Sequence, residues 1–214
     1  MRLSSDSLTI PFMKHLQRFI LLLIALAAST ANALTPEAAV DSYFKPQVVR
    51  GYYSQTHEMV GYPRPVTTDG TFLIVPQRVI MWEEKGLFPT KTIYRDNSFH
   101  IYQEIGLDRV FRAANPVTNI ANRVLWALFS GDFIGLRQDF IIEAEPDGFY
   151  WIMNFYPKSS LARATIKNIR AEGSPMPYRV EFLTVSGDKT TIDLYGLQQS
   201  NATLTSEENA LANP

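Results

Sequence analysis

The stretch Thr71–Glu84, TFLIVPQRVIMWEE, decides the fold. It reads as a β-hairpin arm, yet its apolar residues fall on both faces. With alternation carried through Pro76-Gln77-Arg78, Phe72, Ile74, Ile80 and Trp82 point one way, and Leu73, Val75, Val79 and Met81 the other. A bulge at Pro76 would exchange the faces of the second half. A surface strand of an antiparallel sheet normally alternates apolar with polar. Both faces of this arm therefore need something to touch. The first is expected to line an interior. The second needs a cover, either a helix at the N-terminal end or a partner.

Working outward, Val48–Val60 reads as a strand, and Thr90–Arg95 with Phe99–Gln103 as a hairpin turning at Asp96-Asn97-Ser98. Further strands are expected at Ile141-Ile142, Phe149–Phe155, Thr165–Arg170, Tyr178–Thr184 and Thr190–Leu197, divided by Gly, Pro and Asp turns. Pro116–Phe129 breaks this pattern. Val117, Ile120, Ala121, Val124, Leu125, Leu128 and Phe129 recur at helical intervals, with Trp126 off the stripe. Gly131 is a natural stop, and Asp132 can cap a second short helix that contains Ile134. A further short helix is expected at Leu34–Phe44. Eight or more strands at hairpin spacing, with a helix pair in the middle, predict an α+β fold: an antiparallel sheet with helices on one face. The apolar helix stripe fits either an ordinary core helix or a cover over a cavity.

The first 33 residues read as a signal peptide, with Met13 as an alternative start. Lys14, His15 and Arg18 precede the apolar run Phe19–Ala28, and Ala31-Asn32-Ala33 supplies a cleavage site. The run is about ten residues, where a span of the bilayer needs about twenty. Residues 34–198 then form one domain, and 199–214 read as a polar, disordered tail. Without Arg2, Lys14, Arg18 and Asp6, the 20 basic and 21 acidic residues become 17 and 20, a formal charge of −3. No basic run remains to attract nucleic acid. The chain has 0 cysteines, so it has no disulfide, thiol nucleophile or cysteine-linked lipid.

The succession of GYYSQ (Gly51–Gln55), the Gly70 strand ending at Trp82, IYRDNSFHIY, the helix closing with SGD (Ser130–Asp132), FYWIMNFYP and GDKTTIDL resembles the outer-membrane lipoprotein carrier (LolA-like) family, in a divergent branch. The likeness covers roughly residues 36–197 and lies in order and spacing. It implies an open antiparallel β half-barrel whose concave face is covered by short α-helices. It also implies a soluble periplasmic carrier, likewise monomeric, that moves lipoprotein acyl chains or a related amphipathic lipid from inner to outer membrane. An inner-membrane exporter would load it and an outer-membrane acceptor unload it, with only transient contact with membrane surfaces. The implied cavity lining is Tyr53, Phe72, Ile74, Ile80, Trp82 and Phe99, with a lid of Leu125, Leu128, Phe129 and Ile134. Classical members latch the lid with an arginine that falls at Pro76 here; Arg78 is the candidate replacement. That departure leaves a glycolipid or pigment-like cargo open, as well as a protein-interaction module with a filled core.

Nothing in the sequence nominates an enzyme. His57 and His100 lack metal spacing, the clusters at Glu83-Glu84 and at Glu143, Glu145 and Asp147 sit at strand ends, and neither a G-x-S-x-G elbow nor a phosphate loop occurs. No cofactor is expected.

Overall fold

The computed structural model describes residues 48–76, 78–86, 89–95, 98–103, 109–112, 116–147, 150–174, 176–200 and 204–212. The expected signal peptide and the helix at 34–44 lie outside the described residues. Described strands are β1 (Val48–Glu58), β2 (Val66–Val75), β3 (Val79–Lys85), β4 (Thr90–Arg95), β5 (Ser98–Gln103), β6 (Arg109–Arg112), β7 (Phe140–Asp147), β8 (Tyr150–Pro157), β9 (Ile166–Gly173), β10 (Pro177–Thr184) and β11 (Lys189–Ser200). Described helices are α1 (Pro116–Ser130), α2 (Ile134–Asp139), α3 (Ser160–Arg163) and α4 (Ser206–Ala212).

The 11 strands form one antiparallel sheet in the order β6-β5-β4-β3-β2-β1-β11-β10-β9-β8-β7. It is curved and not closed, an open half-barrel of the α+β class. Two meanders, β1–β6 and β7–β11, join where β1 pairs with β11. The chain thus leaves the sheet at one edge, β6, and re-enters at the other, β7. The segment that makes this crossing carries α1 and α2. Their apolar faces pack on one face of the sheet, in a single core that includes Ile74 and Ile80 from β2–β3 and Met153, Phe155, Ile169 and Val180 from β8–β10.

The opening stretch is a tight hairpin of two strands. Val75 pairs with Val79, Ile74 with Ile80, Leu73 with Met81 and Phe72 with Trp82. The Arg78 N–H donates to the Val75 carbonyl at 3.0 Å, closing the turn. Residues directly opposite one another in a ladder share a face. The face assignment therefore holds, although the interruption at Pro76 is a reversal of direction. Phe72, Ile74 and Ile80 lie in the core beneath the helices. Leu73, Val75, Val79 and Met81 form a second cluster on the other face, together with Ile93 and Ala212. The cover on that second face is α4. The tail was expected to be disordered; instead β11 continues to Ser200 and residues 206–212 are helical. A heptapeptide is too short to give a periodicity to read, and its helix is held by tertiary contacts and a cap.

Two close approaches make the inner surface. Tyr53 pairs with Gly70, and Trp151 with Gly173. A Cβ on Gly70 would sit 2.1 Å from the Glu83 carbonyl oxygen and 2.6 Å from the Tyr53 ring. A Cβ on Gly173 would sit 2.0 Å from the Trp151 indole. Glycine at these positions lets large rings lie down on the neighbouring strand.

Candidate functional site

α1 starts at the expected Pro116 and ends at Ser130, one residue beyond the expected Phe129, and the expected apolar face turns inward over its described part, Ile120–Phe129. Gly131 adopts φ 75°, and its N–H donates to the Ala127 carbonyl at 2.9 Å, ending the helix as expected. Asp132 Oδ1 accepts from the Ile134 N–H at 3.1 Å, steadying the start of α2. Val124, Leu125, Ala127, Leu128 and Phe129 are buried, with Ile120, Ala121 and Trp126 packed against the same core. Trp126 thus packs partly buried against the core despite lying off the stripe. From the short α2 segment, Phe133 and Leu136 turn inward.

Of the expected site residues, Tyr53, Phe72, Ile74, Ile80, Leu125, Leu128 and Phe129 are buried in one cluster, with Trp82 partly buried against it. The rings of Tyr53 and Trp82 meet edge to face at 4.9 Å, Trp82 and Phe72 at 5.5 Å, and Phe72 and Phe129 at 6.1 Å. This aromatic row runs from β1 and β3 across β2 to Phe129 on α1. Ile134 is not part of the lid: it is 76% exposed. The helix it starts is only one turn and a half, and Phe133 and Leu136 take the inward positions. Arg78 lies exposed in the β2–β3 turn, not within a strand, so strand alternation does not carry it to the face of Pro76. The Phe99 side chain lies outside the described residues; its backbone pairs with Tyr94.

A cleft of about 250 Å3 opens between α1 and the sheet. Its apolar lining is Tyr53, Trp82, Ala121, Leu125 and Ile192; Gln55, Thr68, Glu84, Thr92 and Asn122 add polar groups. Beyond this cleft the side chains of helix and sheet meet directly. Val124, Leu128, Phe129, Phe133 and Phe155 are 0% exposed. Burial, together with the negative charges of Glu84 and Asp69, pushes the Tyr53 hydroxyl up to about 12. That phenol stays neutral and serves as an apolar ring with a polar tip.

Sequence reasoning did not single out Arg123. On α1 it donates from Nη1 to Asp139 Oδ2 at 2.7 Å and from Nη2 to the Gly135 carbonyl at 3.1 Å. These bonds tie α2 to α1, so the crossing segment holds together as a unit. The signal was present as an arginine on the polar face of a helix followed by an Asp sixteen residues on, but no spacing rule connects residues across a helix–turn–helix. His57 accounts for itself structurally: Nδ1 lies 2.8 Å from Thr190 Oγ1, across the β1–β11 ladder. Among the described residues no group of three or more His, Cys, Asp or Glu could hold a metal ion. Among the same residues no helix is long and apolar enough to cross a membrane.

No protein-family model matches the chain, and no curated protein matches it in sequence. Among solved structures it is similar to a LolA superfamily protein from Nitrosomonas europaea, with TM-score 0.44 and 10% identity over 82% of this chain and 96% of that one. It is similar to a DUF1329 family protein from Desulfovibrio piger, with TM-score 0.48 and 11% identity over 84% and 97%. A third similarity is to a putative outer membrane lipoprotein-sorting protein domain from Vibrio parahaemolyticus, with TM-score 0.45 and 8% identity over 85% and 98%. At such low identity, what the chain does has to be argued from its own residues.

Proposed function

We propose that this protein is a periplasmic carrier of an acylated, amphipathic lipid, held between the inner face of the half-barrel and the α1–α2 crossing segment. One observation carries the reading. The two surfaces that would clasp a hydrocarbon chain are both apolar, and a cleft with an aromatic floor and a polar rim already separates them at one end. Acyl carbons would continue from Tyr53 and Trp82 along Phe72 toward Phe129, while the headgroup stays at the rim with Gln55, Thr68, Glu84 and Thr92. The sequence of the first 33 residues supports export. In this reading an inner-membrane exporter loads the carrier, an outer-membrane acceptor unloads it, and lipoprotein acyl chains are the first cargo to test.

The cleft is smaller than the roughly 300–1,000 Å3 of ordinary ligand pockets. The structure is therefore a closed state in this reading, and cargo enters by displacing the helices. A ligand shifts such an equilibrium only through its greater affinity for the open form. The same close packing favours a second reading, an interaction module whose core stays filled. Uptake of a long-chain fluorescent fatty acid by the purified protein separates the two. Binding that is lost in Ala121→Glu, which puts a charge into the cleft wall, supports the carrier. Absence of uptake by the wild-type protein, with its fold intact, supports the module. Depletion of the protein in cells, followed by lipoprotein localisation, then distinguishes lipoproteins from a glycolipid or pigment-like cargo.

A further inference from the structure

The face of the sheet opposite α1 carries a second apolar surface. Strand register lines up Arg50, Leu73, Met81 and Ile93 in one row across β1–β4. The neighbouring row holds Tyr52, Thr71, Glu83 and Lys91. α4 lies across these rows. Arg50 donates from Nε and Nη2 to the two carboxylate oxygens of Glu208, at 3.1 and 2.7 Å, and Lys91 Nζ donates to Glu207 at 2.9 Å. Thr205 and Glu208 form a reciprocal capping box: the Thr205 N–H donates to Glu208 Oε2 at 2.7 Å and the Glu208 N–H to Thr205 Oγ1 at 3.1 Å. At the far end of α4 Ala212 is buried in the aliphatic cluster, and Leu204, just before the cap, packs against the same cluster.

The fit is charge-complementary but thin. Among the described side chains of α4 the buried apolar contact is Ala212, and the Glu207 side chain is 73% exposed. A space of about 410 Å3 remains open where Thr205, Glu207 and Glu208 face Leu73 and Met81. A helix of this length has little stability of its own. It stays in place because it is tethered, at an effective concentration on the order of millimolar. The groove therefore sets two cations, Arg50 and Lys91, alongside the Leu73–Met81 surface, with Glu83 4.0 Å from Lys91, and has an occupant that fills it incompletely.

We propose that this groove is a docking site for an acidic amphipathic helix of a partner protein, with α4 as its displaceable intramolecular occupant. A partner helix places two adjacent carboxylates over Arg50 and Lys91 and an apolar side chain into the space beside Met81. This is helix-in-groove recognition with a charged end. It is independent of whether the opposite face carries lipid.

The test uses the full chain and a labelled peptide of sequence LTSEENALA, that of residues 204–212. In the wild-type protein the tethered copy competes, and binding is weak. Glu208→Lys in the protein releases that copy and is expected to tighten peptide binding at least tenfold. The same peptide with lysine at both glutamate positions does not bind. Adding Arg50→Glu to Glu208→Lys abolishes binding; Lys91→Glu provides a second such variant should the first alter the near-ultraviolet dichroism. Equal binding of both peptides, or no gain in Glu208→Lys, overturns the proposal. Concentration-dependent dimerisation of Glu208→Lys would make a second copy the occupant, and overturns it too.

Discussion

Acyl chain length is the perturbation that best separates a lid from a core helix. In the closed state the crossing segment buries Val124, Leu125, Leu128, Phe129, Phe133 and Leu136. Each such side chain is stabilised by about 1.5–3 kcal/mol on burial, so exposing all six would cost about 9–18 kcal/mol. A methylene of cargo returns about 0.8 kcal/mol, which sets the requirement at about 11–22 methylenes. An octyl chain falls short and should reach only the existing cleft. A palmitoyl chain reaches the lower part of this window, and a diacyl lipid exceeds it. The assay is amide hydrogen exchange of Val124–Phe129 with octyl, lauroyl, palmitoyl and diacyl ligands at saturating concentration. Exchange should remain at its unliganded rate with octyl and change from palmitoyl upward. The reasoning is refuted if octyl and palmitoyl chains alter α1 equally, or if a palmitoyl chain binds in the barrel with α1 unchanged.

Other consequences are simpler to measure. Gly173→Ala drives a Cβ into the Trp151 indole and should lower stability by about 1–3 kcal/mol in urea denaturation, as overpacked cores do. Arg123→Ala removes the bond to Asp139 from a half-exposed site; it should cost less than about 1 kcal/mol globally while speeding amide exchange in α2. The Tyr53 hydroxyl, held at about 12 first by burial and then by Glu84 and Asp69, should stay above its ordinary value of 10.0 when acyl carbons cover it in the cleft, as followed by tyrosinate absorbance. The Glu208 carboxyl is held below its ordinary 4.5, first by its hydrogen bonds from Arg50. Since its folded value is depressed, this contribution is complete at neutral pH and is lost as pH falls through that lowered value. Exchange protection of 206–212 should therefore fall in acid ahead of global unfolding.

Much of the architecture was readable because it follows from period and turn chemistry. The α1 stripe, its Gly131 stop and most strands of the two meanders sit where spacing put them. The strand β6 and the one-turn α3 are too short to give a periodic signal. For the candidate site, the aromatic and aliphatic lining of β2–β3 was legible because cross-strand partners share a face, whichever way the chain turns at Pro76. Ile134 was misplaced because a six-residue helix can turn either of two neighbouring positions inward, and here Phe133 and Leu136 are the buried ones. The cover of the Leu73–Met81 face was invisible for another reason. The helix has a local signal in its Thr205–Glu208 box, but its place over that face is set by ion pairs from Arg50 and Lys91, 158 and 116 residues away in sequence, and no local pattern records such contacts.

The most direct test of the carrier reading is photolabelling. The purified full chain is equilibrated with a long-chain fatty acid carrying a diazirine near its methyl end, irradiated, and mapped by peptide mass spectrometry. The account predicts adducts on the inner surface, at Phe72, Ile80, Phe155 and the Val124–Phe129 segment, that are competed away by unlabelled diacyl lipid. Adducts confined to the Leu73, Val75 and Met81 face, or no saturable labelling at all, would contradict it.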